Sequence, residues 1–232
     1  VTPDGKRHVF HHFGSGTFAG ADTFLSKDFI LNPMVFRQEW EELKSIEIAP
    51  KVYVYPECRV TTPYDMIANQ VIEESRKNKR HGSCGIGIFE TIKRYENGYG
   101  FLLGMLRENR DLISFTMVDS KEYIYRMLKN ESIEIKDEWR EIIESDGLSN
   151  RYMDDLKFMI NHIHSSDMYI MPDYDCVVFE GGQGILLDQN NKDYFPHLTP
   201  SNTGINNPLK IISNMHCKPD IEVCYVTRTY LT

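Results

Sequence analysis

The sequence is poor in cysteine and tryptophan, with five of the first and two of the second in 232 residues. Cys58, Cys84, Cys176, Cys217 and Cys224 are odd in number and form no C-x-x-C pair. That excludes a zinc ribbon and a paired disulfide framework, and points to reduced thiols and a cytoplasmic location. No apolar run approaches the ~20 residues of a membrane span, so no membrane partner is expected. No signal peptide is read either; Val1 opens directly into a hairpin-like segment, as a chain does when it starts inside a domain. An excess of positive charge is missing as well. The net charge is −8 and the pI about 5.5, which argues against a nucleic-acid surface while allowing a local basic pocket. What is present is 41% hydrophobic content, enough for one substantial core.

Along the chain, Pro3-Asp4-Gly5 is a turn signal, and Val1-Thr2 with Arg7 to Phe13 read as a hairpin. In such a strand Val9, His11 and Phe13 share a face, so His11 is expected to be an internally bonded core histidine. A zinc pair among His8, His11 and His12 lacks carboxylate or thiolate company at ligand spacing. Asp28 to Leu31 reads as a short strand. Asn32-Pro33 caps a helix to about Ser45, with Met34, Phe36, Trp40 and Leu43 as its stripe. Lys51 to Tyr55 alternates as a strand, and Thr62-Pro63 starts a helix to about Asn78 with Ile67, Val71 and Ile72 inward. This order is that of an α/β domain. Met117 to Ser166 reads as helical throughout, with helices starting at Asp119-Ser120, Lys136 and Ser149; Tyr152, Leu156, Met159, Ile160 and Ile163 line the last one. A short helix follows Asn207-Pro208, and Ile221 to Leu231 looks like a strand.

The stretch most charged with chemistry is Val177 to Asn207. Cys176 to Phe179 reads as a buried parallel strand. Glu180 follows at its end, then Gly181, Gly182, Gln183 and Gly184, a turn that lets a ligand approach the backbone. Ile185 to Leu187 would open a helix, whose first N–H groups favour an anion. Thr199 to Thr203 adds hydroxyls and an amide close by. Together they suit a phosphorylated polar ligand at the end of an α/β sheet; a plain strand–helix turn beside a polar loop is the other reading. His81 to Gly87, reading HGSCGIG, is a second candidate. Backbone N–H groups and the Ser83 hydroxyl before a helix can cradle a phosphate, although a flexible turn has the same composition.

VFEGGQGILLD with FPHLTPSNT resembles the FEGAQGxLLD…YPxVTSSNT signature of adenylosuccinate synthetase. SKDFILNPMVFRQEW is similar to the family's GxGVVxxPxxLxxE segment, and HVFHHFGSG to its LHLIPSG stretch, with His11 at the family's histidine. HGSCGIG is similar to its GTTxxGIGP loop, with Cys84 in place of the second threonine. A thiol is a weaker donor than a hydroxyl, so Ser83 and the backbone would carry more of the phosphate. Arg228-Thr229-Tyr230-Leu231-Thr232 resembles the family's KAYxT.

The resemblance implies an α/β fold with a mostly parallel sheet of the P-loop-NTPase-like adenylosuccinate synthetase type. The α/β nucleotide-binding core would span residues 1–115 and 167–232, with a helical subdomain at 116–166. It implies a GTP-dependent ligase that joins L-aspartate to IMP in AMP biosynthesis, with Mg2+, as a homodimer. By resemblance Gln183 and Thr199 contact the purine nucleotide, Ser83 and Cys84 hold its phosphate, and His11 lies near the reacting phosphate. An arginine in the region that follows, Arg94 on the next helix or else Arg107 or Arg110, would reach the neighbouring subunit's phosphate. The family's GDEGKGK, GHNAGHT and TKxD motifs do not occur in the sequence. With them go the family's catalytic aspartate and histidine, so this chain is expected to bind the IMP side without turnover. The phage-type relative acting on dGMP and a non-catalytic nucleotide-binding domain remain alternatives.

Overall fold

The computed structural model describes residues 5–109, 111–167, 171, 173–215 and 218–227. Short strands alternate with helices in the first part of the chain: β1 Thr23–Leu25, β2 Ile30–Leu31, α1 Pro33–Ser45, β3 Val52–Val54, β4 Arg59–Val60 and α2 Pro63–Ser75. Helices then dominate: α3 Ile88–Arg94, α4 Leu103–Glu108, α5 Leu112–Asn130, α6 Asp137–Ile143 and α7 Asp146–His162, before β5 His164–Ser165 and, much later, α8 Asn206–Ser213. β3 lies between β1 and β5, parallel to both, with Thr23 opposite Val52 and Tyr53 opposite His164. β2 and β4 make a second parallel pair.

Local signals account for the two helices nearest the sheet. The Asn32 side chain accepts from the N–H groups of Met34 and Val35, and Pro33 occupies the first turn, where its missing donor costs nothing. Thr62 and Asp65 close a capping box at the start of α2. Phe36 and Leu43 of α1 and Ile67, Val71 and Ile72 of α2 are buried. α7 packs on α1, and α5 on α2. Helices and sheet therefore share one core, in which Val52, Val54, Leu31, Ile124 and Leu156 are closed to solvent. Among the described residues no helix is long and apolar enough to cross a membrane.

Several expectations are corrected. Residues 7–13 form no strand; the Val1-Thr2 side of the expected hairpin lies outside the described residues. His12, not His11, is the core histidine: His12 is 4% exposed, and His11 faces solvent. The two-residue period assumed there does not apply to a chain that bends. α5 begins at Leu112, ahead of the expected Asp119, because Ile113 and Met117 already pack into the core. Cys176 to Phe179 enters no strand ladder and is exposed, with Val178 75% accessible. Ile185–Leu187 is a single 3-10 turn that starts no longer helix. Residues 221–227 form no strand, and 228–232 lie outside the described residues.

Candidate functional site

Four loops meet through specific contacts. Glu180, at the head of the glycine turn, accepts from the Ser15 N–H at 3.1 Å and from the Ser15 hydroxyl. This ties the turn to the FGSG segment that follows His11. The turn is tied equally to the threonine loop: Thr199 N–H donates to Leu187 O at 2.8 Å, Thr203 N–H to Asp188 Oδ2 at 2.8 Å, and Gln189 N–H to Ser201 O at 3.1 Å. Hydrogen bonds from the Thr203 and Asn190 N–H groups hold the Asp188 carboxyl below its ordinary range. The third link is aromatic. The His197 ring, next to the threonine loop, lies edge-on to His81, next to Ser83, with centroids 6.5 Å apart. These contacts link the segment after the glycine turn to the threonine loop, and the threonine loop to the Ser83 turn.

The predicted site residues are mostly open. Gln183, Ser83 and Cys84 are exposed, and Thr199 is half-buried. A Cβ added at Gly182 or Gly184 would meet nothing within 4 Å, so the backbone there faces free space. An open depression of about 410 Å³ beside the threonine loop is lined by Asn202, the amide of that loop, and by Asn206, Leu209, Lys210 and Ser213.

The Ser83 turn is built from below by α2. Glu73 Oε2 accepts from the His81 and Gly82 N–H groups at 3.0 and 3.1 Å. Burial opposes its charge, but the Arg76 side chain and the Gly82 and Ser83 N–H groups outweigh that, and the carboxyl sits below its usual range. Ser83 donates its hydroxyl to Asn69 Oδ1, and its oxygen accepts from Gly85 N–H at 3.1 Å. Gly87 has φ +75°, and a Cβ there would lie 2.7 Å from the Asp65 backbone. Only glycine lets α2 and the loop come this close.

Arg94 is placed differently from its expected role. It is 1% exposed. Its Nε and Nη2 donate to the two oxygens of Asp65 at 2.8 and 2.9 Å, and it also donates to Val60 O and Tyr99 O. Burial works against its charge, and Asp65 more than compensates. A guanidinium so enclosed holds α2, α3 and β4 together and does not project toward a second subunit. Arg107 is half-buried with Nη1 lacking a hydrogen-bond partner; Arg110 lies outside the described residues.

His11 contributes its backbone: its N–H donates to Glu39 Oε1 at 2.9 Å, and that of His12 to Oε2 at 2.6 Å. The His12 ring accepts the Asn32 N–H on Nε2 at 2.9 Å, which requires an unprotonated Nε2. Burial first, then the neighbouring His11, push the His12 imidazole down to about 3. This linchpin carried no sequence signal beyond the HH pair. Asp65 did carry one, as the last residue of the T-P-Y-D cap.

Among the described residues no three His, Cys, Asp or Glu side chains come close enough to hold a metal.

The full length of the chain, residues 1–232, matches the family model for adenylosuccinate synthetase. The adenylosuccinate synthetase of Borrelia recurrentis (strain A1) is 23% identical over 205 residues, which are 88% of this chain and 46% of that protein. That of Picrophilus torridus is 26% identical over 206 residues, again 88% and 46%. The chain therefore spans about half the length of these curated relatives. Among solved structures, a fully ligated adenylosuccinate synthetase from Plasmodium falciparum superposes with a TM-score of 0.50 at 16% identity, covering 84% of this chain and 43% of that one. That likeness shows the fold: α/β with parallel strands. The family match over every residue, joined to the glycine turn, threonine loop and Ser83 loop that meet in the structure, leads to one conclusion: this chain belongs to the adenylosuccinate synthetase family.

Proposed function

We propose that this chain forms the IMP-binding side of a GTP-dependent ligase that joins L-aspartate to IMP on the way to AMP. Gln183 and Thr199 contact the nucleotide, Ser83 and Cys84 hold its phosphate, and His11 stands at the rim. The observation that carries this reading is the pinning of the glycine turn to the threonine loop by the Thr199–Leu187 and Thr203–Asp188 hydrogen bonds. Side chains from two distant motifs then face one ligand. Such a site acts by positioning the nucleotide for phosphoryl transfer at the purine 6-oxygen and for attack by the aspartate amine. GTP and Mg2+ enter this reading from the family alone. In the proposed homodimer Arg94 belongs to the scaffold, and Arg107 takes the role of reaching the partner's phosphate.

Calorimetric titration with IMP tests the assignment. Gln183→Ala and Thr199→Val are each expected to weaken binding by about five- to tenfold, the worth of roughly one hydrogen bond. Unchanged affinity in both variants would overturn it. No adenylosuccinate formation is expected from these 232 residues alone, because no proton-carrying group comparable to the family's catalytic pair is assigned among them.

A further inference from the structure

The Ser83 turn rests on a buried carboxyl that the reading above leaves unused. Glu90, on α3, is 3% exposed, and its Oε2 has no hydrogen-bond partner. The carboxyl takes hydrogen bonds from the Asn69 side chain, itself 7% exposed, and from its own backbone N–H. Asn69 Oδ1 takes the Ser83 hydroxyl proton, and the Ser83 oxygen takes the Gly85 N–H. A chain of polar groups therefore runs from Glu90 through Asn69 and Ser83 to Gly85.

The direction of each hydrogen bond has a consequence. A carboxylate only accepts, so it draws the Asn69 amide N–H₂ toward itself and turns the amide oxygen to Ser83. The Ser83 proton then points into the protein, and the Gly85 N–H is occupied by Ser83. Both donors that an anion would need are therefore taken, the hydroxyl by Asn69 and the Gly85 N–H by the Ser83 oxygen. A protonated Glu90 can donate to the amide oxygen. The Asn69 side chain then turns over, its N–H₂ donates to the Ser83 oxygen, and the hydroxyl proton is released outward. A negative charge behind the loop disappears in the same step.

We propose that Glu90 and Asn69 form a proton-coupled positioning unit for the anion-binding loop, so that binding of a phosphate group at Ser83 takes up one proton from solvent onto Glu90. No covalent bond between heavy atoms changes; one O–H bond forms at Glu90, and the Glu90–Asn69 and Asn69–Ser83 hydrogen bonds reverse, while the Gly85 N–H remains a donor. The charged groups acting on Glu90 are Asp65 of α2, which opposes its ionisation, and Lys93 of its own helix, which favours it. Asp65 is itself paired with Arg94. Burial is the largest influence on Glu90 and raises its pKa above the ordinary carboxyl range. This inference rests on the assignment of phosphate to the Ser83 loop.

The test is IMP titration of the full chain across pH, in pairs of buffers with different ionisation heats, for the natural sequence and Glu90→Gln. The nucleotide's own ionisation is common to both proteins and cancels in the difference. The natural chain is expected to take up as much as one extra proton on binding, with affinity falling up to about tenfold per pH unit above the range where Glu90 titrates. Glu90→Gln, which can donate and accept at any pH, should lose that difference. Infrared difference spectra should show a protonated-carboxyl C=O band that grows with IMP in the natural chain and is absent from the variant. Equal proton uptake in the two proteins, or no such band in the natural chain, overturns the inference while leaving the phosphate assignment intact. Absence of IMP binding at every pH overturns the assignment and the inference with it.

Discussion

Val52 and Val54 are fully buried, whereas Val177 and Val178, in an equally apolar run, are 41% and 75% exposed. The contrast extends to whole regions. Up to Ile163 most large apolar side chains converge on one core, with exceptions such as Phe115 and Val118; among the described residues 173–227, only Ile211 belongs to the buried apolar set. Leu186, Phe195, Tyr225 and Val226 all lie more than half open to solvent. Both regions have the hydrophobic pattern of interior structure. The first finds partner surfaces within the chain: α7 on α1, α5 on α2, β3 between β1 and β5. The second is held mainly by backbone and polar side-chain hydrogen bonds among its own loops. Burial is thus a property of pairs of surfaces, and an apolar run supplies only one of them.

The contrast can be broken where the packed region is most demanding. Arg94→Ala should cost about 3–5 kcal/mol, because it strands the Asp65 carboxylate in a closed interior; urea unfolding measures it. A cost below about 1 kcal/mol would mean that water reaches this pair. The two regions are compared directly by Leu31→Ala and Leu186→Ala. The first is expected to cost about 2–5 kcal/mol and the second no more than about 0.5 kcal/mol. Similar costs would show that Leu186 is packed, and the division between regions would fail.

A smaller effect tests the interior polar cluster. His12 is neutral when folded and titrates near its ordinary value when unfolded. Below pH 6.5 the unfolded chain therefore binds more protons, and stability falls as pH drops from about 6.5 toward about 3. The slope from this one group approaches about 1.4 kcal/mol per pH unit. His12→Gln should flatten that part of the profile in thermal melts at stepped pH, and an unchanged slope would assign acid sensitivity to other groups. Glu90 has the opposite sign. Its raised pKa costs stability as pH rises through its titration, so Glu90→Gln should stabilise the chain at neutral pH and less so in acid.

Motif reading reached further than structural reading in the exposed region. The glycine turn and threonine loop were identified from residue types and order, and the structure does join them. The buried strand and helix expected around that turn are absent from the fold, because neither side of Cys176–Phe179 is covered. In the packed region the opposite holds: helices, caps and strands were close to expectation, while the roles of Asn69, Glu90 and Glu39 were not read. Each of those three acts through a neighbour distant in sequence.

Features that depend on a few consecutive residues were therefore readable directly: the Asn32 and Thr62 caps, the β3 alternation, the stripes of α1 and α7. Which histidine enters the core, whether an arginine reaches outward or locks onto Asp65, and which apolar run is covered were settled by tertiary contacts alone. Those outcomes are set by desolvation and by the availability of a partner group across the fold. Neither quantity exists until distant segments meet.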